Sequence, residues 1–192
     1  MGSDRKVIQI DIDGVLAYFS YGFYELCNVL PPKCGYPSKW DIWDGISKKQ
    51  SQDAWSKINQ SCSFWRFLPL LCMPGEMRRI EQLSADNDVY FVTSRRPGIN
   101  TKKQTIDWFL ENGISWPTVI LSSHKGEIAT AIGANYSLDD KAGNAVMISY
   151  MSKKCKSFLI TRPYNIFDNE VLGTKVNRVN SVSEFLDEVE KN

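Results

Sequence analysis

The sequence is short of histidine, of paired cysteines and of net charge. His124 is the single histidine, so neither a histidine metal site nor a relay of imidazoles can be built. Acid and base chemistry therefore falls to carboxylates, lysines and thiols. Cys27, Cys34, Cys62, Cys72 and Cys155 are odd in number and form no Cys-x-x-Cys pair, so reduced thiols are expected rather than disulfides or zinc ligands. A formal net charge of +1 lacks the concentrated basic surface that a nucleic-acid polymer demands; the one basic cluster, "SRRPGINTKK", is local. No apolar run approaches the roughly 18 residues of a membrane span, and no apolar segment precedes the first predicted strand. Neither a membrane anchor nor a secretory leader is expected, and a cytoplasmic location is.

The 192 residues, 43% apolar and 23% charged, suffice for one well-buried core with a small insert, not for two full-sized domains. From residue 74 the chain alternates. "PGEMRRIEQLSAD" carries Met77, Ile80 and Leu83 at helical spacing, and "DVYFVTS" reads as a buried strand. "TKKQTIDWFLENG" is predicted helical with Ile106, Phe109 and Leu110 on one face, and "PTVILSS" is the next strand. "HKGEIATAIG" and "GNAVMISYMSKK" read as helices, "NYSLDD" and "CKSFLIT" as strands. "SVSEFLDEVEK" opens with a capping box from Ser181 to Glu184. Short strands alternating with helices predict an α/β fold, a Rossmann-like parallel sheet covered by helices on both faces.

Residues 17–73 interrupt this alternation. They hold four of the six tryptophans and stretches such as "SQDAWSKINQS" that look helical. The predicted organisation is a core unit of residues 1–16 and 74–192 with a small helical cap, residues 17–73, inserted after the first strand. Such an insert needs its own core, for which Phe23, Trp55 and Phe67 are the expected residues.

The chemistry lies at the predicted strand ends, where open parallel sheets bind their ligands. The first strand, "KVIQI", ends in Asp11 and Asp13, followed at once by Gly14. Thr93 and Ser94 follow "VYFV", Lys125 lies beyond "VILSS", and Asp139 and Asp140 follow "YSL". Four carboxylates gathered at one edge need a cation, and an all-oxygen shell selects a hard ion such as Mg²⁺, whose shell a substrate phosphate completes. Asp11 can serve as nucleophile, forming an aspartyl-phosphate, and Asp13 as acid and then base. Thr93 and Lys125 are the donors a phosphoryl group needs.

"DIDGVLA", "VTS", Lys125 and "LDD", in that order, resemble the four motifs of the haloacid dehalogenase superfamily of Mg²⁺-dependent phosphatases. "DIDGVLAYF", "FWRFLPLLCMPG", "VYFVTS" and "LDDK" look like the 5'(3')-deoxyribonucleotidase branch, over residues 7 to about 141. The resemblance implies hydrolysis of a nucleoside monophosphate, a deoxyribonucleotide foremost, with Mg²⁺ as cofactor. It implies Asp11 as nucleophile and Asp13 as acid/base lending its backbone carbonyl to the metal. Asp139 would be a direct metal ligand and Asp140 a water-mediated or orienting one. Thr93, Ser94 and Lys125 would hold the phosphate, with Lys103, or alternatively Lys102, beside them. Phe19 would face the base, and Trp40, Trp43 and Trp65 would complete an apolar slot. The partner implied is a small-molecule nucleotide, with no nucleic-acid polymer and no membrane; a homodimer is compatible. Arg95 and Arg96 depart from the pattern, which has apolar or small residues there, and read either as a solvated turn or as a substrate-facing patch. The alternatives are a phosphatase of another small ester, a phosphoacceptor of receiver-domain type and a silent nucleotide-binding protein.

Overall fold

The computed structural model describes residues 5–40 and 42–191; residues 1–4, 41 and 192, which include both outer ends of the predicted core unit, lie outside the described residues. Among the described residues, six strands build the core: β1 (Val7–Ile10), β2 (Asp88–Thr93), β3 (Thr118–Leu121), β4 (Tyr136–Asp139), β5 (Lys156–Ile160) and β6 (Asn177–Val179). Seven α-helices among the same residues accompany them: α1 (Phe19–Leu26), α2 (Lys48–Gln60), α3 (Pro74–Asp86), α4 (Thr101–Glu111), α5 (Lys125–Ala131), α6 (Ala142–Met151) and α7 (Val182–Glu190). The sheet is parallel throughout, in the order β3-β2-β1-β4-β5-β6. The chain steps outward from β1 to β2 and β3, then returns to β1's other side for β4. That reversal makes the carboxyl end of β1 the topological switch point, where such sheets open a crevice.

Strand periodicity divides the core between the two faces. Phe158 and Ile160 of β5 join Phe185 and Leu186 of α7 in one apolar cluster, while Leu159 joins Ala142 and Ala145 of α6 in another. Successive side chains of a strand point to opposite faces, so an uninterrupted apolar run such as "FLI" serves both. α3 packs on α7 and α5 on α6, which gives the sheet its two helical covers.

Three elements differ from expectation. The buried face of α4 is turned to Trp108 and Phe109, both 0% exposed, and Leu110 is 50% exposed. The cause is polar as well as apolar, because the Trp108 indole N–H donates to the Leu68 carbonyl at 2.7 Å and must therefore point inward. At α7, Ser181 accepts from the Glu184 amide at 3.1 Å as a capping residue should, but the Glu184 carboxylate takes the Asn180 amide, one residue earlier. β6 has only three residues, "NRV", too short and too polar for a periodicity reading to separate from a loop.

Between β1 and α3, α1 and α2 are the helical portions, and residues 61–73 run in turns. α2 is begun by Ser47, whose hydroxyl accepts from the Gln50 amide while Gln50 reaches back. The segment leaves and re-enters through a paired neck: the Tyr18 amide donates to the Pro69 carbonyl at 2.9 Å and the Leu71 amide to the Leu16 carbonyl at 2.8 Å. Buried Gln104 of α4 ties it down further, donating to Ser61 and accepting from the Trp65 amide.

Candidate active site

The strand ends do converge. β1's ladder runs one residue past its last strand position, with the Asp11 amide donating to the Leu138 carbonyl at 2.9 Å, so Asp11 is held against β4. Gly14 then turns the chain at φ +80°, and a Cβ there would collide with the Asp140 carboxylate. Only glycine satisfies both demands.

Asp11, Asp139 and Asp140 are buried and each offers an oxygen within 4.8 Å of the others. Lys125 Nζ lies 2.7 Å from Asp11 Oδ2 and 2.7 Å from Asp139 Oδ2. Gln9 of β1 helps to fix the start of α5 by donating to the Lys125 carbonyl at 3.3 Å. Asp11 and Asp139 thus share one ammonium, and Asp140 lies beside them without an ion pair to it. Burial pushes Asp11 up to about 7, against the opposing pull of Lys125 and with added repulsion from Asp139. Asp140 is pushed well above the usual carboxylate range by burial and then by Asp11 and Asp139. Burial acts to lower the Lys125 ammonium, but attraction to Asp11 and Asp139 outweighs it and holds the group above its ordinary value.

The donor set suits a hard divalent cation. It is all oxygen, sets three carboxyl groups against the one ammonium of Lys125, and includes Asp140 Oδ1, buried and without a hydrogen-bond partner among the described residues.

Asp13 stands apart from this cluster. Arg95 Nε and Nη2 each approach it at 2.8 Å, one to Oδ2 and one to Oδ1, and the Thr93 hydroxyl lies 3.3 Å from Oδ2. Arg95 Nη1 donates to Thr105 at 2.9 Å, and its guanidinium lies 4.6 Å over the Trp65 ring. Arg95 is therefore not a solvated turn: its side chain is 0% exposed, grips Asp13 in a two-pronged fork and lines the cavity above the site, as Arg96 does. Arg96 stays exposed beside it, over the Trp55 ring at 5.6 Å.

A cavity of about 960 Å³ opens above these groups and is lined by Asp11, Asp13, Thr93, Ser94, Lys125 and Asp140. Its aromatic wall includes Phe19, Trp40, Trp43 and Trp65, together with Trp55. Phe19 is the hub of that wall, with ring centroids 5.6 Å from Trp55, 5.7 Å from Trp65 and 5.9 Å from Trp43. Trp55 lines the cavity and packs on an apolar cluster that runs from Phe23 and Ile58 into the sheet, so the segment has no core separate from it among the described residues; Phe67, expected in such a core, is 69% exposed. Lys103 is not brought to the site: its ammonium is exposed and paired with Asp107 at 2.7 Å, one turn along α4. Lys102 is exposed too. The helix turns both lysines away because Thr101, Gln104 and Thr105 occupy its inner face.

Neither a family model nor a curated protein sequence matches the chain. Solved structures do. A haloacid dehalogenase-like hydrolase from Burkholderia xenovorans LB400 superposes with a TM-score of 0.62 at 10% identity over 98% of each chain. A dehalogenase with an intermediate complex gives 0.59 at 12% identity over 100% of each chain. A HAD-superfamily hydrolase of subfamily IA, variant 1, from Geobacter sulfurreducens PCA gives 0.56 at 10% identity over 98% of each chain. The chain has the haloacid dehalogenase-like fold.

On this fold the third arc of the site comes from the segment after β5, which sequence reasoning left out. Tyr164 donates its hydroxyl to Asp140 Oδ2, and Asn165 donates to the carbonyls of Asp140 at 2.7 Å and Ile160 at 2.9 Å. Asn144 of α6 donates to Asp139 Oδ1 at 3.1 Å. A signal was available, because "TRPYN" follows the strand "CKSFLI" and the rule that pointed to Asp11 and Asp139 applies equally to the carboxyl end of the fifth strand.

Proposed function

We propose that this protein is a Mg²⁺-dependent phosphatase of nucleoside monophosphates, deoxyribonucleotides foremost, that works through an aspartyl-phosphate on Asp11. The observation that carries the reading is the placing of Asp11, Lys125, Asp139 and Asp140 in one buried cluster beneath a cavity walled by aromatic rings. A carbon–halogen displacement, the other chemistry named among the structural neighbours, asks only for a nucleophilic carboxylate. The two further buried acids, and the bare oxygen of Asp140, favour phosphoryl transfer.

In the proposed reaction an Asp11 oxygen attacks phosphorus as the bond to the leaving oxygen breaks, and Asp13, with a proton on the oxygen that one prong of Arg95 releases, gives that proton to the leaving oxygen. Asp13 then takes a proton from the water that cleaves the aspartyl-phosphate, which restores Asp11 and frees phosphate. Lys125 and the hydroxyls of Thr93 and Ser94 hold phosphoryl oxygens and offset their charge. Asp11, Asp139, Asp140 and the Asp13 carbonyl would hold Mg²⁺, which when bound neutralises charge on the phosphoryl group. We propose further that residues 17–73 act as a cap whose aromatic face grips the base.

The test is phosphate release from a panel of nucleoside monophosphates and sugar phosphates with Mg²⁺, repeated after EDTA. The expected result is release from deoxyribonucleotides that EDTA abolishes. Release from a sugar phosphate with none from any nucleotide would remove the nucleotide assignment.

Two variants test individual roles. Arg95→Met keeps the apolar stem against Trp65 but drops the fork on Asp13. Loss of the grip that aims an acid/base group is expected to lower kcat on the order of 10²-fold, measured by steady-state kinetics. Phe19→Ala opens the aromatic wall. The expected outcome is a KM for the nucleotide raised roughly 10-fold, with little change in kcat/KM for a small generic ester such as p-nitrophenyl phosphate.

A further inference from the structure

Among the three clustered acids, hydrogen bonding is unevenly spread. Asp11 Oδ1 accepts from the Ile12 amide at 2.7 Å and its Oδ2 meets Lys125. Asp139 Oδ1 accepts from the Lys141 amide at 2.9 Å and from Asn144, and its Oδ2 meets Lys125. Asp140 alone keeps a bare oxygen, Oδ1. Its other oxygen is taken by the Tyr164 hydroxyl. With one oxygen tied to the tyrosine, rotation of the carboxylate is restricted and the other oxygen is the atom left open.

The surroundings are built for this pair. A side chain at position 14 would strike the Asp140 carboxylate and come within 2.7 Å of the Tyr164 hydroxyl, so Gly14 keeps their space clear. Asn165 pins the next residue of the same loop to the ends of β4 and β5. The Tyr164 ring is held from its other side by Trp40 at 5.4 Å and Tyr36 at 5.8 Å, both in the segment between β1 and α3.

We infer that Tyr164 is a positioning residue for the cation site: its hydroxyl fixes the rotamer of Asp140 and so presents Oδ1 to the divalent ion. The inference rests on the cation-dependent reading of the site above. Hydrogen-bonded partners of metal-binding carboxylates set ligand orientation, and losing one typically weakens the metal 10–100-fold.

The experiment is Mn²⁺ titration of the wild type and of Tyr164→Phe, followed by the electron paramagnetic resonance of free Mn²⁺. The variant removes one oxygen and keeps the ring against Trp40 and Tyr36. The expected result is an Mn²⁺ dissociation constant raised about 10-fold or more, with the Mg²⁺ concentration for half-maximal activity raised by a similar factor and kcat recovered at saturating Mg²⁺. A merely structural tyrosine would instead lower the melting temperature, and added Mg²⁺ would not restore kcat. Equal Mn²⁺ affinity in the two proteins overturns the inference and leaves the phosphatase reading standing. Failure of the wild type to bind Mn²⁺ at all overturns both.

Discussion

Asp11→Asn is expected to lower kcat by at least about 10³-fold, because the amide has the shape of the carboxylate but no nucleophilic oxygen. The same substitution carries a second expectation, on stability. The Asp11 carboxyl is pushed up to about 7 by burial in the metal-free protein. A carboxyl raised in this way contributes stability below its unfolded value, near pH 4, and loses it as pH rises through about 7. Asparagine has no proton to lose. Denaturant unfolding in EDTA should therefore show the wild type losing ground to Asp11→Asn between pH 4 and pH 8, by at most about 4 kcal/mol. A wild type that instead gained on the variant over that interval would reverse the assigned direction.

Lys125→Met should produce the largest loss of stability. Lys125 is 3% exposed and is the ammonium shared by Asp11 and Asp139. Without it two buried carboxyl groups face each other with no counter-charge, and removing one partner of a buried pair costs on the order of 3–5 kcal/mol. A divalent cation binding only the folded state offsets part of that cost. Thermal unfolding should thus show a large drop in Tm in EDTA and a smaller one with Mg²⁺. The variant is also expected to turn over poorly even with Mg²⁺, since the ammonium is the group proposed to hold the phosphate.

Much of this was legible in the chain because it rests on local rules. Apolar runs of four to six residues bounded by turns mark buried strands wherever they occur, so β1 to β5 and the sheet's parallel sense could be read directly. The strand-end rule located Asp11, Thr93, Lys125, Asp139 and Asp140 without any knowledge of contacts. What was not legible depends on rotation and reach. Leu110 and Trp108 lie two residues apart, and which one faces in was decided by a carbonyl 40 positions away. Lys103 sits close in sequence to the site, but its position on α4 turns it outward. Arg95 reads as one member of a surface basic cluster, and only the fold shows its fork closed on Asp13. Tyr164 reaches Asp140 across 24 positions from a loop with no periodicity of its own. Trp55 stands at the border of core and cavity, a distinction composition cannot draw.

In the proposed reaction Asp11 becomes covalently phosphorylated during turnover. This step is tested most directly by mixing the wild type with radiolabelled thymidine monophosphate and Mg²⁺, quenching in acid within the first turnovers and mapping the labelled peptide. Label is expected on the peptide that contains Asp11, lost on treatment with hydroxylamine and absent from Asp11→Asn. Steady phosphate release with no label on the protein, or the same label in Asp11→Asn, would contradict it.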